Sequence, residues 1–257
     1  MTKRFATMLA ATSLLGVCAM TACSTPSTPT PSSSSAAITS NINGPYQLPD
    51  NIGTTFRWTA APGIDLLSPI AVVTRAFIES DYIKTISQFR GAYPGWYRVV
   101  AGQPRFMESA TRYVAPVNGT VYHRLQKVQR LPHNEWSTVA CTYKYDATTT
   151  RQPDGRFLAL RHSSYSTEIL WRQTSDSKID YRAVGQGTAR YPVTDVFTGW
   201  TVIRSAPQHI EDISAAEACR DPRNDPAPYG THRTEETYVD QPAEALPPYP
   251  GWARAGD

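Results

Sequence analysis

The segment 136–145 constrains the fold of this chain more than any other, because its side chains alternate in character along the sequence. Val139, Cys141, Tyr143 and Tyr145 fall on one side of an extended chain. Alternation with a period of two is typical of a β-strand that buries one face. The sequence therefore predicts a strand here, packed through this face against other elements.

A helix is predicted well before this strand. Ser68 can cap it, and Pro69 suits the first helical position. Apolar side chains then recur at helical spacing, at Ile70, Val73, Phe77 and Ile78. Polar side chains are placed off that face, at Arg75, Glu79 and Asp81. The pattern predicts an amphipathic core helix, which Ile83, Ile86 and Phe89 extend or follow with a second helical turn.

Two glycine-containing motifs predict turns. Tyr93-Pro94-Gly95-Trp96 places Pro-Gly at the centre of a type II turn. Asn118-Gly119 is a strong hairpin signal and is predicted to join strands over 112–117 and 120–128. The same residues with Thr120 match a glycosylation sequon, but the turn accounts for them better.

Further strands are predicted after the alternating segment. Residues 157–172 form a long strand or a bent pair, entered through a turn at 153–155, and 179–183 and 200–204 form short strands. Residues 211–218 are predicted to form a helical turn that leads into Cys219. One or two helices followed by long antiparallel strands make an α+β arrangement, with the N-terminal helix packed on a curved, mainly antiparallel sheet.

This order of elements resembles the NTF2-like fold, in which a curved sheet wraps an N-terminal helix to form a cone. The resemblance rests on element order alone and covers the predicted domain without a diagnostic motif. It implies a cavity inside the cone.

The first 22 residues read as an export signal. Lys3 and Arg4 form a short positive region, and 5–20 follow without a charge. A retained membrane helix is the alternative, because this stretch approaches the roughly 20 residues that cross a bilayer.

Met20-Thr21-Ala22-Cys23 resembles the lipobox of bacterial lipoprotein precursors. The resemblance implies that Cys23 receives a diacylglyceryl group, that the signal is cut before it, and that the new amino terminus is acylated. Cys18 is a poorer candidate because Val17 is bulky where a small residue is needed. Two acyl chains on one cysteine suffice for stable anchoring.

Residues 24–35 consist almost wholly of Ser, Thr and Pro, which cannot bury a core. The predicted organisation is therefore a signal peptide over 1–22, a lipidated tether over 23–43, one α+β domain over 44–239 and a proline-rich tail over 240–257. The tail packs along the domain, is disordered, or binds a partner groove as an extended polyproline segment.

Two cysteines remain beyond Cys23, namely Cys141 and Cys219. In an exported protein such a pair predicts a disulfide, although two reduced, buried thiols are the alternative. Without residues 1–22 the chain has 23 basic and 22 acidic residues, so its charge gives no case for nucleic acid binding.

No sequence motif predicts catalysis, a cofactor or a metal site. The chain lacks the Gly-x-Ser-x-Gly, His-Glu-x-x-His, Cys-x-x-Cys and phosphate-loop patterns. If the domain is a cone, Glu168, His162 and Tyr165 are the candidates to face its cavity, where burial raises the pKa of a carboxyl group. The competing interpretation places Glu168 in solvent beside an arginine.

Three functions are consistent with these patterns. The first is a lipid-anchored envelope protein whose domain binds a protein, lipid or glycan partner outside the membrane. The second is an NTF2-like enzyme with a small-molecule pocket. The third is a prophage-borne surface lipoprotein, which genomic neighbourhood would reveal.

Overall fold

An eight-stranded sheet dominates the computed structural model of the protein. The structure describes residues 46–87, 91–103, 117–144, 148–159, 163–207, 212–226 and 235–254. The predicted signal, Cys23 and the tether lie outside these residues, as do Phe89, Tyr145 and His162.

The strands follow one another as a mainly antiparallel sheet. They are β1 (Ile52–Ala60), β2 (Val117–Leu131), β3 (Glu135–Lys144), β4 (Thr148–Arg151), β5 (Phe157–Ala159), β6 (Ser163–Gln173), β7 (Trp200–Pro207) and β8 (Thr237–Val239). Seven of them are adjacent in the order β7-β6-β3-β2-β4-β5-β8. The remaining strand, β1, also pairs with β2. Among the described strand pairs, only β1–β2 is parallel.

One long helix packs on a face of the sheet. The helices are α1 (Pro69–Ser87), α2 (Trp96–Val99), α3 (Tyr181–Val184) and α4 (Ile213–Ala218), with a 3-10 turn at Pro222–Asn224. The N-terminal start of α1 at Pro69 is as predicted, and Phe77 on α1 meets Trp171 on β6 edge to face at 5.4 Å. The predicted α+β class, with a helix on a curved and mainly antiparallel sheet, is confirmed.

Helix α1 is covered on nearly all sides, which corrects the prediction of a polar outer face. Fifteen of its 19 residues are buried. The side chains of Arg75 and Glu79 are 0% and 1% exposed. Chain segments that lie far along the sequence cover this side of the helix, so its local pattern did not reveal the burial.

Strand β1 was not predicted, and it explains why the hairpin prediction at Asn118-Gly119 is wrong. Both residues lie inside β2, where Asn118 faces Gly53 of β1 and Thr149 of β4. Pairing on both edges overrides the local turn preference. The turn between β2 and β3 instead uses His133 and Asn134, whose φ angles of 60° and 57° match a type I′ turn.

Two further predictions have opposite outcomes. The turn at Tyr93–Trp96 is confirmed, since the N–H of Trp96 donates to the carbonyl of Tyr93 at 3.1 Å and Gly95 has φ 83°. The short strand over 179–183 is wrong, because this segment enters α3. Asp180 caps α3 by accepting hydrogen bonds from the N–H groups of Arg182 and Ala183.

The disulfide between Cys141 and Cys219 is present and joins β3 to the end of α4. Both sulfur-bearing residues are buried. Together with Tyr122 and Tyr143 they form a small core on the face of the sheet opposite α1. The bridge therefore holds α4 against that face.

Residues 240–254 of the predicted tail pack on the domain. Tyr249 exchanges backbone hydrogen bonds with β1, donating to Phe56 at 3.1 Å and accepting from Trp58 at 2.5 Å. Three positions later Trp252 is 1% exposed and belongs to the main core. Of the outcomes considered for the tail, the structure shows packing along the domain over these residues.

Candidate functional site

The predicted site residues lie on different faces of the sheet. Tyr165 and Glu168 both belong to β6 and are three positions apart, so their side chains point to opposite faces. Tyr165 lines a cleft with Tyr82 of α1, whereas Glu168 meets Ser137 on the other face. The structure does not bring Glu168 and Tyr165 together, and His162 is outside the described residues.

Glu168 lies in an open trough of about 490 Å³ on the face opposite α1. Ser137 donates its hydroxyl to the carboxylate at 3.0 Å, and a guanidinium nitrogen of Arg204 is 3.9 Å away. The Glu168 side chain is 7% exposed. The alternative to a catalytic role placed Glu168 in solvent beside an arginine; the arginine is present, but the carboxylate is buried rather than in solvent.

The rim of this trough combines a charged pair with an exposed apolar side chain. Lys127 contacts Asp212 at 2.6 Å, and this hydrogen bond, with a second from Ser214, holds the pKa of Asp212 below its usual range. Ile213, the first residue of α4, is 67% exposed. Such a mixture of exposed apolar and paired polar groups suits contact with another macromolecule.

Tyr165 belongs to a smaller and more enclosed cleft between α1 and strands β3 and β6. The cleft has a volume of about 80 Å³. Its lining residues are Ile78, Asp81, Tyr82, Thr85, Ile86, Lys144, Tyr165 and Thr167. The Lys144 Nζ atom lies 5.1 Å from the ring centre of Tyr82 and 5.3 Å from that of Tyr165. An amine between two aromatic rings is the most chemically distinctive grouping on this face.

Burial shifts the pKa values of Lys144, Tyr82 and Tyr165 in this cleft. It lowers the pKa of the Lys144 amine, while the charge of Asp81 acts in the opposite direction. It raises the pKa of Tyr165 to about 12 and that of Tyr82 still further. Both phenols are therefore protonated at neutral pH.

His123 lies in the buried layer next to this cleft. Its ring stacks on Trp58 with centres 4.4 Å apart, and its Nδ1 is 3.1 Å from the hydroxyl oxygen of Thr142. Burial, assisted by the charge of Lys144, lowers the pKa of His123 to about 3. Its Nε2 is buried without a hydrogen-bond partner among the described residues. The ring is therefore neutral in the folded protein at ordinary pH.

A second group of polar residues, which the sequence did not reveal, lies at the centre of the core. The indole of Trp58 donates to Oε1 of Glu79 at 2.7 Å. Oε2 accepts from the hydroxyl of Tyr93 at 2.8 Å and from the indole of Trp252 at 2.9 Å. Three donors from β1, the turn before α2 and the C-terminal segment thus converge on one carboxylate.

Arg75 lies one helical turn before Glu79 and ties the same elements together. Its guanidinium donates to the carbonyls of Gly185 at 2.9 Å and Pro250 at 2.6 Å, and it stacks over the Trp252 ring at 4.7 Å. Burial lowers the pKa of Arg75 to about 10 and raises that of Glu79, and each charge opposes the shift of the other. Opposite charges four residues apart in an apolar helix were the only sequence signal of this pair.

The Glu79 cluster and the Lys144 cleft differ in what they can do chemically. The groups around Glu79 are buried and use both oxygens of the carboxylate, so they stabilise the core rather than receive a ligand. The Lys144 cleft opens to solvent and presents an amine, a carboxylate and hydroxyl groups. Of the two, the cleft is the candidate site for chemistry.

The chain matches no protein-family model, no curated protein and no solved structure. Within the described residues, no three His, Cys, Asp or Glu side chains cluster closely enough to hold a metal ion. No helix in the same part of the chain is both long and apolar enough to span a membrane.

Proposed function

We propose that this chain is an exported, lipid-anchored envelope protein whose single domain binds a partner outside the membrane. The observation that carries the proposal is the Cys141–Cys219 disulfide, because such bonds persist in oxidising compartments outside the cytoplasm. Two sequence features add support: the lipobox-like motif at Cys23 and the Ser/Thr/Pro-rich segment that follows it. An anchor, a spacer and an oxidised domain are the expected parts of such a protein.

Packing of the domain interior favours binding over catalysis. The space between α1 and the sheet holds large aromatic side chains, and Trp58, Phe77 and Trp171 are each at most 1% exposed. With the interior filled, the larger concavity is on the other face of the sheet: the trough around Glu168 has about 490 Å³, against about 80 Å³ for the Lys144 cleft. We assign a protein partner to the trough, because the exposed Ile213 is flanked by charged side chains that are already paired.

Substitution of the anchor residue tests the location. Cys23→Ala should move the protein from the membrane fraction to the soluble envelope fraction and abolish incorporation of labelled fatty acid. Cys18→Ala is the matched control and should leave both unchanged. Retention of the Cys23→Ala variant in the membrane would mean that an uncleaved helix is the anchor.

Photo-crosslinking in intact cells tests the binding surface. A photoreactive residue at Ile213 should give one discrete covalent adduct with an envelope protein. The same residue at Tyr238, which is 54% exposed on β8, serves as the control. Equal adducts from both positions, or none from Ile213, would exclude the trough as the binding surface.

The NTF2-like cone and an enzymatic role form the second proposal. The arrangement of α1 on a curved sheet supports it, and so does the cleft that contains Tyr165 and Lys144. The strand β1 ahead of the helix and the filled interior weigh against a deep cone cavity.

A further inference from the structure

The Lys144 cleft combines features that make a lysine amine reactive. We infer that Lys144 is a nucleophile that captures a small aldehyde or ketone as an imine. This inference does not depend on the anchored binding role. It stands on the position of the amine in the cleft and on the groups that surround it.

The walls of the cleft restrict both the amine and its ligand. The rings of Tyr82 and Tyr165 lie about equally far from Nζ, at 5.1 and 5.3 Å, so the amine is held between them. The side chains of Ile78 and Ile86 add apolar surface. A volume of about 80 Å³ admits a carbonyl compound of only a few heavy atoms.

The charged and titratable groups around Lys144 come from several elements. Helix α1 contributes Asp81 and Tyr82, β6 contributes Tyr165, and His123 of β2 lies in the layer behind. At neutral pH the phenols and the imidazole are uncharged, because burial raises the pKa of each phenol and lowers that of the imidazole. Asp81 is thus the charged group among these four that faces the amine.

Burial increases the fraction of Lys144 that is uncharged and nucleophilic. It lowers the pKa of this amine even though Asp81 favours the ammonium form. Each unit by which the pKa of the amine is lowered gives about tenfold more free amine, at a pH below both the ordinary and the lowered pKa. Desolvated lysines are nucleophiles toward carbonyl groups for this reason.

The reaction needs no oxidant or reductant. The Nζ lone pair forms a bond to the carbonyl carbon, whose π electrons move to oxygen as an alkoxide. One proton then passes from the nitrogen to that oxygen, which gives a neutral carbinolamine. Through a water molecule in the open cleft, the Asp81 carboxylate accepts the second proton that nitrogen loses and returns it to the carbinolamine hydroxyl. That hydroxyl leaves as one water molecule, and the C=N bond forms.

Competitive labelling of the purified full chain tests the inference without any substitution. Limiting formaldehyde traps imines when cyanoborohydride supplies hydride to reduce them, and peptide mass spectrometry gives a rate for each lysine. Lys178 is an exposed comparison and Lys84 a buried one. At about pH 7 we expect Lys144 to react about threefold or more faster than Lys178, with a midpoint at lower pH.

Two results would overturn the inference. The first is labelling of Lys144 that is slower than that of Lys178 at every value between about pH 6 and pH 10. The second is an unchanged rate of Lys144 labelling when Asp81 is replaced. It is measured at alkaline pH, where the amine is neutral in every variant and only proton transfer can differ. There Asp81→Asn should slow labelling of Lys144, whereas Asp176→Asn, on an exposed loop, should not; equal rates would exclude the role of Asp81.

Discussion

Trp252 donates its indole N–H to Oε2 of Glu79 at 2.9 Å, across 173 positions of the sequence. The bond fastens the C-terminal segment to the middle of α1. Both side chains are 1% exposed, so water does not replace either partner when the other is removed.

Trp252→Phe should therefore destabilise the protein by about 1–3 kcal/mol, the usual cost when a buried polar group loses a hydrogen bond. Phenylalanine keeps much of the aromatic packing but has no N–H to donate. The free energy of unfolding from urea titration measures the change. Tyr238→Phe, at an exposed position, is the control and should have little effect; equal stability of the two variants would contradict the role of the bond.

Glu79 should make stability depend on pH in the direction opposite to an ordinary ion-paired carboxylate. Burial raises its folded-state pKa, so the folded protein holds this proton more tightly than the unfolded chain does. The stabilising contribution of Glu79 is complete below its unfolded-state pKa of 4.5 and is lost as pH rises through its folded-state pKa.

Glu79→Gln removes this titration and should flatten the profile of stability against pH above about pH 4.5. The variant should also be less stable, because the amide has one acceptor oxygen for the three donors. Urea titrations across a pH series, with Glu236→Gln at an exposed position as control, measure the difference. A variant profile parallel to that of the wild type would show that Glu79 does not titrate in this range.

The contribution of His123 to stability should depend on pH in the direction opposite to that of Glu79. Burial lowers its folded-state pKa from 6.5 to about 3, so the unfolded chain binds its proton first. Its stabilising contribution is present above pH 6.5 and is lost as pH falls toward about 3. His123→Phe keeps an aromatic ring against Trp58 and should reduce the loss of stability in this window.

The matched control for His123 is His133→Asn. His133 lies on the exposed turn between β2 and β3 with φ 60°, a conformation that asparagine tolerates. Thermal unfolding at several pH values between these limits compares the two variants. If both retain the full acid dependence of the wild type, His123 is not its source.

The disulfide should contribute about 4 kcal/mol to stability in the chain-entropy model, because the bond closes a long loop. The sequence separation of its two cysteines is 78 residues. The double variant Cys141→Ala, Cys219→Ala should unfold at lower urea concentration and should not respond to reductant. The wild type in reductant should approach the same midpoint; a wild type that is indifferent to reductant would contradict the prediction.

Local signals in the sequence predicted the elements whose determinants are local. Pro69 begins α1, Gly95 takes the positive φ that its turn requires, and alternating side chains mark β3. The disulfide also followed from a count of cysteines in a chain that its first residues predict to be exported. Each of these depends on a few neighbouring residues or on composition.

Contacts between distant segments account for what the sequence did not reveal. Asn118-Gly119 has the composition of a hairpin turn, but strands on both sides hold it extended within β2. Arg75 and Glu79 have the spacing of an exposed pair, yet Trp252 covers them. The Lys144 cleft depends on the register between β3 and β6, which no local pattern fixes.

The backbone pairing of Tyr249 with Phe56 and Trp58 also has a consequence for how copies of this protein behave toward one another. An uncovered strand edge is a template on which another chain can add a strand. The C-terminal segment occupies part of the free edge of β1 and so shields it from other molecules. Loss of this segment by proteolysis would therefore leave a protein prone to self-association, even while the rest of the sheet stays intact.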